Sequence, residues 1–432
     1  VEELRSAYHS GRTRSLEWRA SQLKALLKIA THHEEEILEA LMSDLNKPKH
    51  EAYLFEIASV SSACKLAMKE LPGWMMPEKV KTTMATFPSS AEIVSEPLGV
   101  VLVISTWNYP FLLSMEPVIG AIAAGNAVVL KPSEVAPSTS SLLSKLLGEY
   151  MDSTAVRVVE GGAQETISLL EQKWDKIFYT GNPTVGRTIL AAAAKHLTPV
   201  VLELGGKCPV VVDSTTNIQV TARRIVSGKW GCNSGQTCVC PDYVITSRDY
   251  SLKLIDAISS ELDNFCSGDP LQSDDSTRIV NSGHFERLVR LLEDPKISGK
   301  IVIGGKWDKA KLKISPTVIM DAPKDSLVMN EEIFGPLLPI ITVEDIEESI
   351  AVINGKGNKP LAAYIFTRNE KLRDDFIRNV SAGSMAINDV NLQVVEPELP
   401  FGGVGESGMG CYHGKFSFDA FSHRKPVLDR HF

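Results

Sequence analysis

The chain has 432 residues, of which 44% are hydrophobic and 23% charged, and it carries a net charge of −8. That length predicts two or more domains, and ordinary glycine and proline usage excludes collagenous and low-complexity classes. Dispersed basic residues on an acidic chain argue against a nucleic-acid partner, and no apolar run approaches the ~20 residues of a membrane span.

The first quarter reads helical. Ser15 caps a run through Ala30, and Thr31-His32-His33-Glu34 has the spacing of a capping box for a second helix, which Asn46 and Pro48 stop. A third helix carries Tyr53, Ile57, Val60, Cys64, Ala67 and Leu71 on one face and ends at Pro72-Gly73. Cys64 on that face reads as core filler. Residues 80–97 suggest a hairpin outside the main sheet, with an edge that wants a partner.

From Gly99 the pattern changes. Strand-like runs at Val100–Ile104, Ala127–Leu130, Val156–Val159, Lys176–Phe178 and Val200–Leu202 alternate with helical stretches near Leu112–Ala124, Thr139–Tyr150, Gln164–Gln172 and Val185–Lys195. Alternation of this kind predicts a parallel, doubly wound sheet. Polar and glycine residues follow all five runs: Trp107-Asn108, Lys131-Pro132-Ser133-Glu134, Glu160-Gly161-Gly162, Thr180-Gly181-Asn182 and Glu203-Leu204-Gly205-Gly206-Lys207. Open α/β sheets bind ligands at those carboxyl ends. A second α/β stretch follows, with strands near Pro209–Val212, Tyr243–Ile245, Ile301–Ile303, Leu338–Thr342 and Leu361–Phe366 and a helix at Ile218–Trp230.

Seven scattered cysteines build no disulfide framework and fit an intracellular reducing compartment. Cys232, Cys238 and Cys240 cluster without the histidine or second cysteine pair of a zinc site, so no metal is expected. The chain starts at Val1 rather than Met, so a targeting segment or anchor would stand outside it, and cytoplasm and plastid both stay open.

Gly403-Val404-Gly405-Glu406-Ser407-Gly408 matches the dinucleotide fingerprint GxGxxG, but it follows no strand and opens no βαβ unit. It reads as a loop for close backbone approach. Cys238 is more informative. It follows a helix in the Gly- and Ser-rich loop Gly235-Gln236-Thr237-Cys238, where a thiol can be exposed. An arbitrary cysteine is more often buried structure, yet this one has company. Glu203 ends an apolar strand, where desolvation raises a carboxyl toward general-base duty, and Asn108 offers a neutral amide donor suited to an oxyanion. Together they form a coherent acyl-transfer site.

These residues, with Thr106-Trp107-Asn108-Tyr109-Pro110, Leu130 to Glu134, Leu202 to Lys207, Gly235 to Cys238, Glu331-Glu332-Ile333-Phe334-Gly335-Pro336 and Pro400-Phe401-Gly402-Gly403, resemble the NAD(P)-dependent aldehyde dehydrogenases. The ending Gly414 to His423 is similar to their class 3 branch of fatty- and aromatic-aldehyde enzymes, most like its plant members. The resemblance implies Cys238 as nucleophile, Glu203 as base and Asn108 as oxyanion donor. It implies Lys131 and Glu134 at the adenosine ribose, Thr180, Gly181 and Gly205 along the cofactor, and Glu332 and Phe334 at the nicotinamide. Thr180-Gly181-Asn182 departs from the family's usual Thr-Gly-Ser. Tyr53, Tyr109 and Trp230 are candidates for the substrate funnel, with aromatic core packing an equal explanation.

The expected fold is aldehyde dehydrogenase-like: a five-stranded parallel Rossmann-type cofactor domain (1–79 and 98–204), an α/β catalytic domain (205–406, with 407–421 returning to the first) and an oligomerisation segment (80–97 and 422–432). The expected reaction oxidises a medium- or long-chain aliphatic or an aromatic aldehyde, with NAD preferred, NADP possible, and a homodimer as the working form. A catalytically silent relative and a CoA-acylating enzyme are the alternatives. Joint retention of Cys238, Glu203 and Asn108 argues against the first, and an intact Glu203 against the second. Cys240, two residues from the nucleophile, reads as an unreactive neighbour, with an oxidative disulfide to Cys238 as the alternative.

Overall fold

A computed structural model describes residues 1–430 apart from 267, 274 and 275. Five parallel strands lie side by side in the order Val156–Val158, Ala127–Lys131, Val100–Ile104, Lys176–Thr180 and Val200–Glu203. The central three are buried along their whole length, as strands covered on both faces must be. A two-residue strand, Gly408–Met409, adds a sixth member antiparallel to Val200–Glu203, with Gly408 opposite Glu203. The expected count of five therefore covers the parallel members only.

The second sheet has seven strands, in the order Ile301–Ile303, Thr317–Met320, Leu337–Val343, Pro241–Ser247, Cys208–Val212, Ala362–Phe366 and Ser384–Ile387. All its pairings are parallel except the first. One apolar core joins a face of each sheet, packing Val103 and Phe178 in the same cluster as Val210 and Val244. Cys64 is fully buried in that cluster, and burial lifts its thiol to about 12.

A third sheet stands apart. Glu78–Val80, Ser90–Pro97 and Ser422–Asp429 form an antiparallel ladder with Ser90–Pro97 in the middle. The hairpin and the final strand thus pair with each other within one chain. Their apolar side chains Met84, Phe87 and Leu428 stay exposed.

Three helix expectations need correction. Thr31 is no cap: its Oγ1 donates to Leu27 O inside the helix Leu16–His32, and the next helix, Glu34–Leu45, starts after His33. Tyr53 is 45% exposed because residues Tyr53–Ile57 form a π-turn, which rotates it off the face that buries Ile57, Val60, Cys64, Ala67 and Leu71. Pro72 lies within the last turn of the helix Ala58–Trp74 rather than ending it. Among the described residues, no helix is long and apolar enough to cross a membrane.

Candidate active site

A cleft of about 1820 Å³ opens between the two large sheets and takes in the carboxyl ends of four of the five parallel strands; after Val156–Val158 it is the next helix, at Ala163 and Thr166, and not Glu160-Gly161-Gly162, that lines it. Cys238, Asn108, Glu203, Lys131, Glu134, Thr180, Gly181, Gly205, Glu332 and Phe334 all line it. The sequence-predicted catalytic and cofactor residues are therefore brought to one wall system.

The nucleophile's loop is built by backbone strain. Asn233, Ser234 and Gly235 have φ of 54°, 50° and 78°, all left-handed. At Gly235 an added Cβ would lie 2.3 Å from the carbonyl oxygen of Gly335. The fully buried Gln236 then locks the turn: its Nε2 donates to Asn233 O (3.1 Å) and Arg278 O (3.0 Å), and its Oε1 accepts from Val280 N (3.1 Å). Cys238 emerges part-exposed in the cleft. Burial, then the carboxylates of Glu332 and Glu203, push its thiol up to about 12, while its own and Val239's N–H groups pull the other way. Burial therefore favours the neutral thiol in the resting site.

Glu203 ends its strand 3% exposed, and neither carboxylate oxygen has a hydrogen-bond partner. Burial, followed by the like charge of Glu116, raises it well above the ordinary 4.5. Glu116 in turn meets His413 Nε2 at 3.3 Å. Glu332 accepts from Gly206 N (2.9 Å), and burial lifts it to about 7. Asn108 is 2% exposed; its Nδ2 donates one hydrogen to Gln236 O at 3.2 Å, which leaves a second N–H on the amide.

At the far end of the cleft, buried Lys131 meets exposed Glu134 with Nζ–Oε2 of 2.5 Å. Thr180 Oγ1 is buried without a protein partner. Asn182 caps the helix Pro183–Ala194 by accepting from Val185 N (2.9 Å), so the departure from Thr-Gly-Ser keeps a capping side chain. A Cβ at Gly205 would collide with Glu332 at 2.3 Å. Phe334, left-handed at φ 50°, stacks edge-on to Trp107. An orphaned hydroxyl, a helix N-terminus and a side-chain-free cradle along one cleft fit a dinucleotide.

Other candidates lie elsewhere. The Tyr109 hydroxyl bonds Thr237 Oγ1 (2.9 Å), bracing two loops, and Trp230 Nε1 donates to Pro336 O (2.8 Å); neither belongs to the cleft wall. Cys240 Sγ is buried against the carbonyls of Gly228, Lys229 and Pro241, and both it and Cys238 are free thiols. The GxGxxG string packs backbone on backbone: Leu204 N donates to Ser407 O, and Gly408, at φ 143°, leaves no room for a Cβ against Leu202 O. Sequence reading missed Lys47, Glu56 and Asn233, and it quoted Gln236 without a role; these residues brace the site from behind. A polar residue in an apolar helical pattern was the only available signal, and Glu56 carried it.

The sequence model of the aldehyde dehydrogenase family matches residues 1–427. Aldehyde dehydrogenase family 3 member H1 of Arabidopsis thaliana is 61% identical over 430 residues, covering 100% of this chain and 89% of that protein. The dimeric NADP-preferring aldehyde dehydrogenase of Rattus norvegicus is 46% identical, covering 99% and 93%. Among solved structures, the substrate-bound state of Staphylococcus aureus AldH superposes with a TM-score of 0.97 at 42% identity, covering 100% and 93%.

Proposed function

The chain belongs to the aldehyde dehydrogenase family, which oxidises aldehydes to carboxylic acids with NAD or NADP, and on that premise we propose that Cys238, Glu203 and Asn108 carry the reaction. The observation behind this reading is their convergence on one cleft, where a buried carboxylate without a hydrogen-bond partner shares the wall with the thiol and the amide.

Cys238 Sγ passes its proton to solvent, and the thiolate attacks the aldehyde carbon as the C=O π bond opens onto oxygen. Asn108 Nδ2 and the Cys238 N–H donate to the oxyanion that forms. When bound, NAD(P)+ would supply the hydride acceptor, and Cys238 Sγ would keep the acyl group as a thioester. Glu203 then takes a proton from water as the oxygen attacks the acyl carbon, and Cys238 leaves as the carboxylate is freed. Lys131 and Glu134 would hold the adenosine ribose, Thr180 and Gly181 would lie along the dinucleotide, and Gly205, Glu332 and Phe334 would form the nicotinamide end. The proposed division of the chain gives 1–79 and 98–204 with 407–421 to cofactor binding, 205–406 to the nucleophile and 80–97 with 422–432 to assembly, although Glu78 and Lys79 pair into the third sheet.

The substrate is a medium- or long-chain aliphatic or an aromatic aldehyde, a choice that rests on the resemblance to the class 3 branch. NAD is the preferred cofactor, because the Glu134 carboxylate accepts from both ribose hydroxyls and repels a 2′-phosphate. Higher kcat/KM on NADP than on NAD would overturn this. The nucleophile is tested by Cys238→Ser, which abolishes turnover and keeps cofactor binding, against Cys240→Ser, which keeps most activity. Reversed effects would reassign the nucleophile.

A further inference from the structure

Behind the cleft lies an ion pair that the mechanism above does not use. Lys47 and Glu56 are both 0% exposed, and Nζ meets Glu56 Oε1 at 2.5 Å. Their remaining bonds all go to one segment. Lys47 Nζ donates to Asn108 O (3.1 Å) and sits 4.1 Å from the centroid of the Tyr109 ring. Glu56 Oε2 accepts from Phe111 N (2.9 Å) and Leu112 N (3.2 Å), the first free donors of the helix Leu112–Ala124. The π-turn Tyr53–Ile57 aims Glu56 there, and π-turns recur at functional sites.

The other side of the segment is held too. Asn233 Nδ2 donates to Asn108 O (2.8 Å) and Gln236 O (3.0 Å), and Asn233 N donates to Glu51 Oε1 (2.6 Å). Lys47, Glu51 and Glu56 therefore tie the N-terminal helices to both the Asn108 turn and the loop that carries Cys238.

We propose that the buried Lys47–Glu56 pair is a positioning device that acts through Asn108, clamping the backbone carbonyl of Asn108 and the amides of Phe111 and Leu112 so that the Asn108 amide is fixed where an oxyanion forms. This rests on the reading of Asn108 as the oxyanion donor. A buried ion pair is by itself a poor source of stability, since apolar replacements of similar volume are often neutral. An apolar pair, however, could not take a carbonyl at one end of the turn and two N–H groups at the other. Oxyanion donors work only when pre-aimed, and a misplacement of about 1 Å can cost on the order of 100-fold.

The test is a double-mutant cycle on kcat. Lys47→Met with Glu56→Gln removes both charges while the Gln carbonyl still accepts from Phe111 and Leu112. In the Asn108-intact enzyme this lowers kcat by roughly 10- to 100-fold. NADH affinity by fluorescence titration and the rate of Cys238 alkylation by iodoacetamide stay within about twofold of wild type, readouts that a general loss of packing would move. In the Asn108→Ala background the same substitutions change kcat by less than about threefold, because the donor being positioned is gone. Should the charge-free variant not fold, Glu56→Asp, which retracts the carboxylate and keeps the pair, is run through the same cycle, and Lys47→Arg restores part of the rate. Equal losses in both backgrounds, or no loss with Asn108 intact, overturn the proposal. Wild-type turnover in Asn108→Ala alone instead overturns the oxyanion assignment on which it stands.

Discussion

Glu203 is a carboxylate in a setting that resists its charge: buried, with neither oxygen hydrogen-bonded and with Glu116 as its charged neighbour. Both effects favour the protonated form, so the base is lost as pH falls through a value above the ordinary 4.5. The acid limb of kcat is therefore expected above the usual carboxylate range. Glu116→Gln removes the like charge, so Glu203 holds its proton less tightly and the limb moves to lower pH. Glu203 and Glu332, the latter lifted by burial to about 7, both act on the Cys238 thiol, so the limb belongs to the group rather than to one residue. A pH–rate profile of Glu116→Gln that stayed put, or moved to higher pH, would contradict this account.

At the scale of elements, the central fact is how short loops hold the chemistry. Three successive left-handed residues lead into Cys238, and Gly235 is packed on Gly335 too closely for a side chain. Gly235→Ala is expected to cost about 1–3 kcal/mol and to lower turnover, since the strain of an L-residue there adds to a backbone collision. Chemical denaturation compared with wild type checks the first part. The strands and their ligand-bearing ends were legible because parallel buried strands are written as continuous apolar runs, such as Val100–Ile104, and because Glu203 ends a strand while Asn108 and Cys238 stand in the loops that follow elements. What was not legible depends on distance in sequence. Asn108 finds Gln236 across 128 residues, and Lys47 finds Asn108 across 61, so no local period reports them. Tyr53 failed as a face residue because a π-turn breaks the 3.6-residue register that placed it.

For the whole molecule, the small sheet is the feature without a role in one chain. Ser90–Pro97 is paired on both sides, by Glu78–Val80 and Ser422–Asp429, and the last of these keeps a free edge among the described residues. Long exposed edges beside Met84, Phe87 and Leu428 call for cover. A second copy would cover it with closed twofold symmetry, so a homodimer is expected by sedimentation at micromolar concentration. Leu428→Asp, on that final strand, should shift the equilibrium toward monomer. A stable wild-type monomer would remove the sheet from assembly. Residues 431 and 432, the end of the expected assembly segment, lie outside the described residues.

The division of labour between Cys238 and Glu203 is tested most directly by rapid mixing of Glu203→Gln with aldehyde and NAD. General-base assistance contributes ~10²–10⁴-fold, so steady-state turnover should drop by that order. The first turnover should still release NADH approaching one equivalent per active site, and acid-quenched protein should carry the acyl group on Cys238 by intact mass. Loss of the burst at neutral pH, with its return as pH rises, would mean that Glu203 also deprotonates the thiol before attack. Unchanged steady-state turnover in Glu203→Gln would contradict the account outright and move the base elsewhere, to Glu332 first.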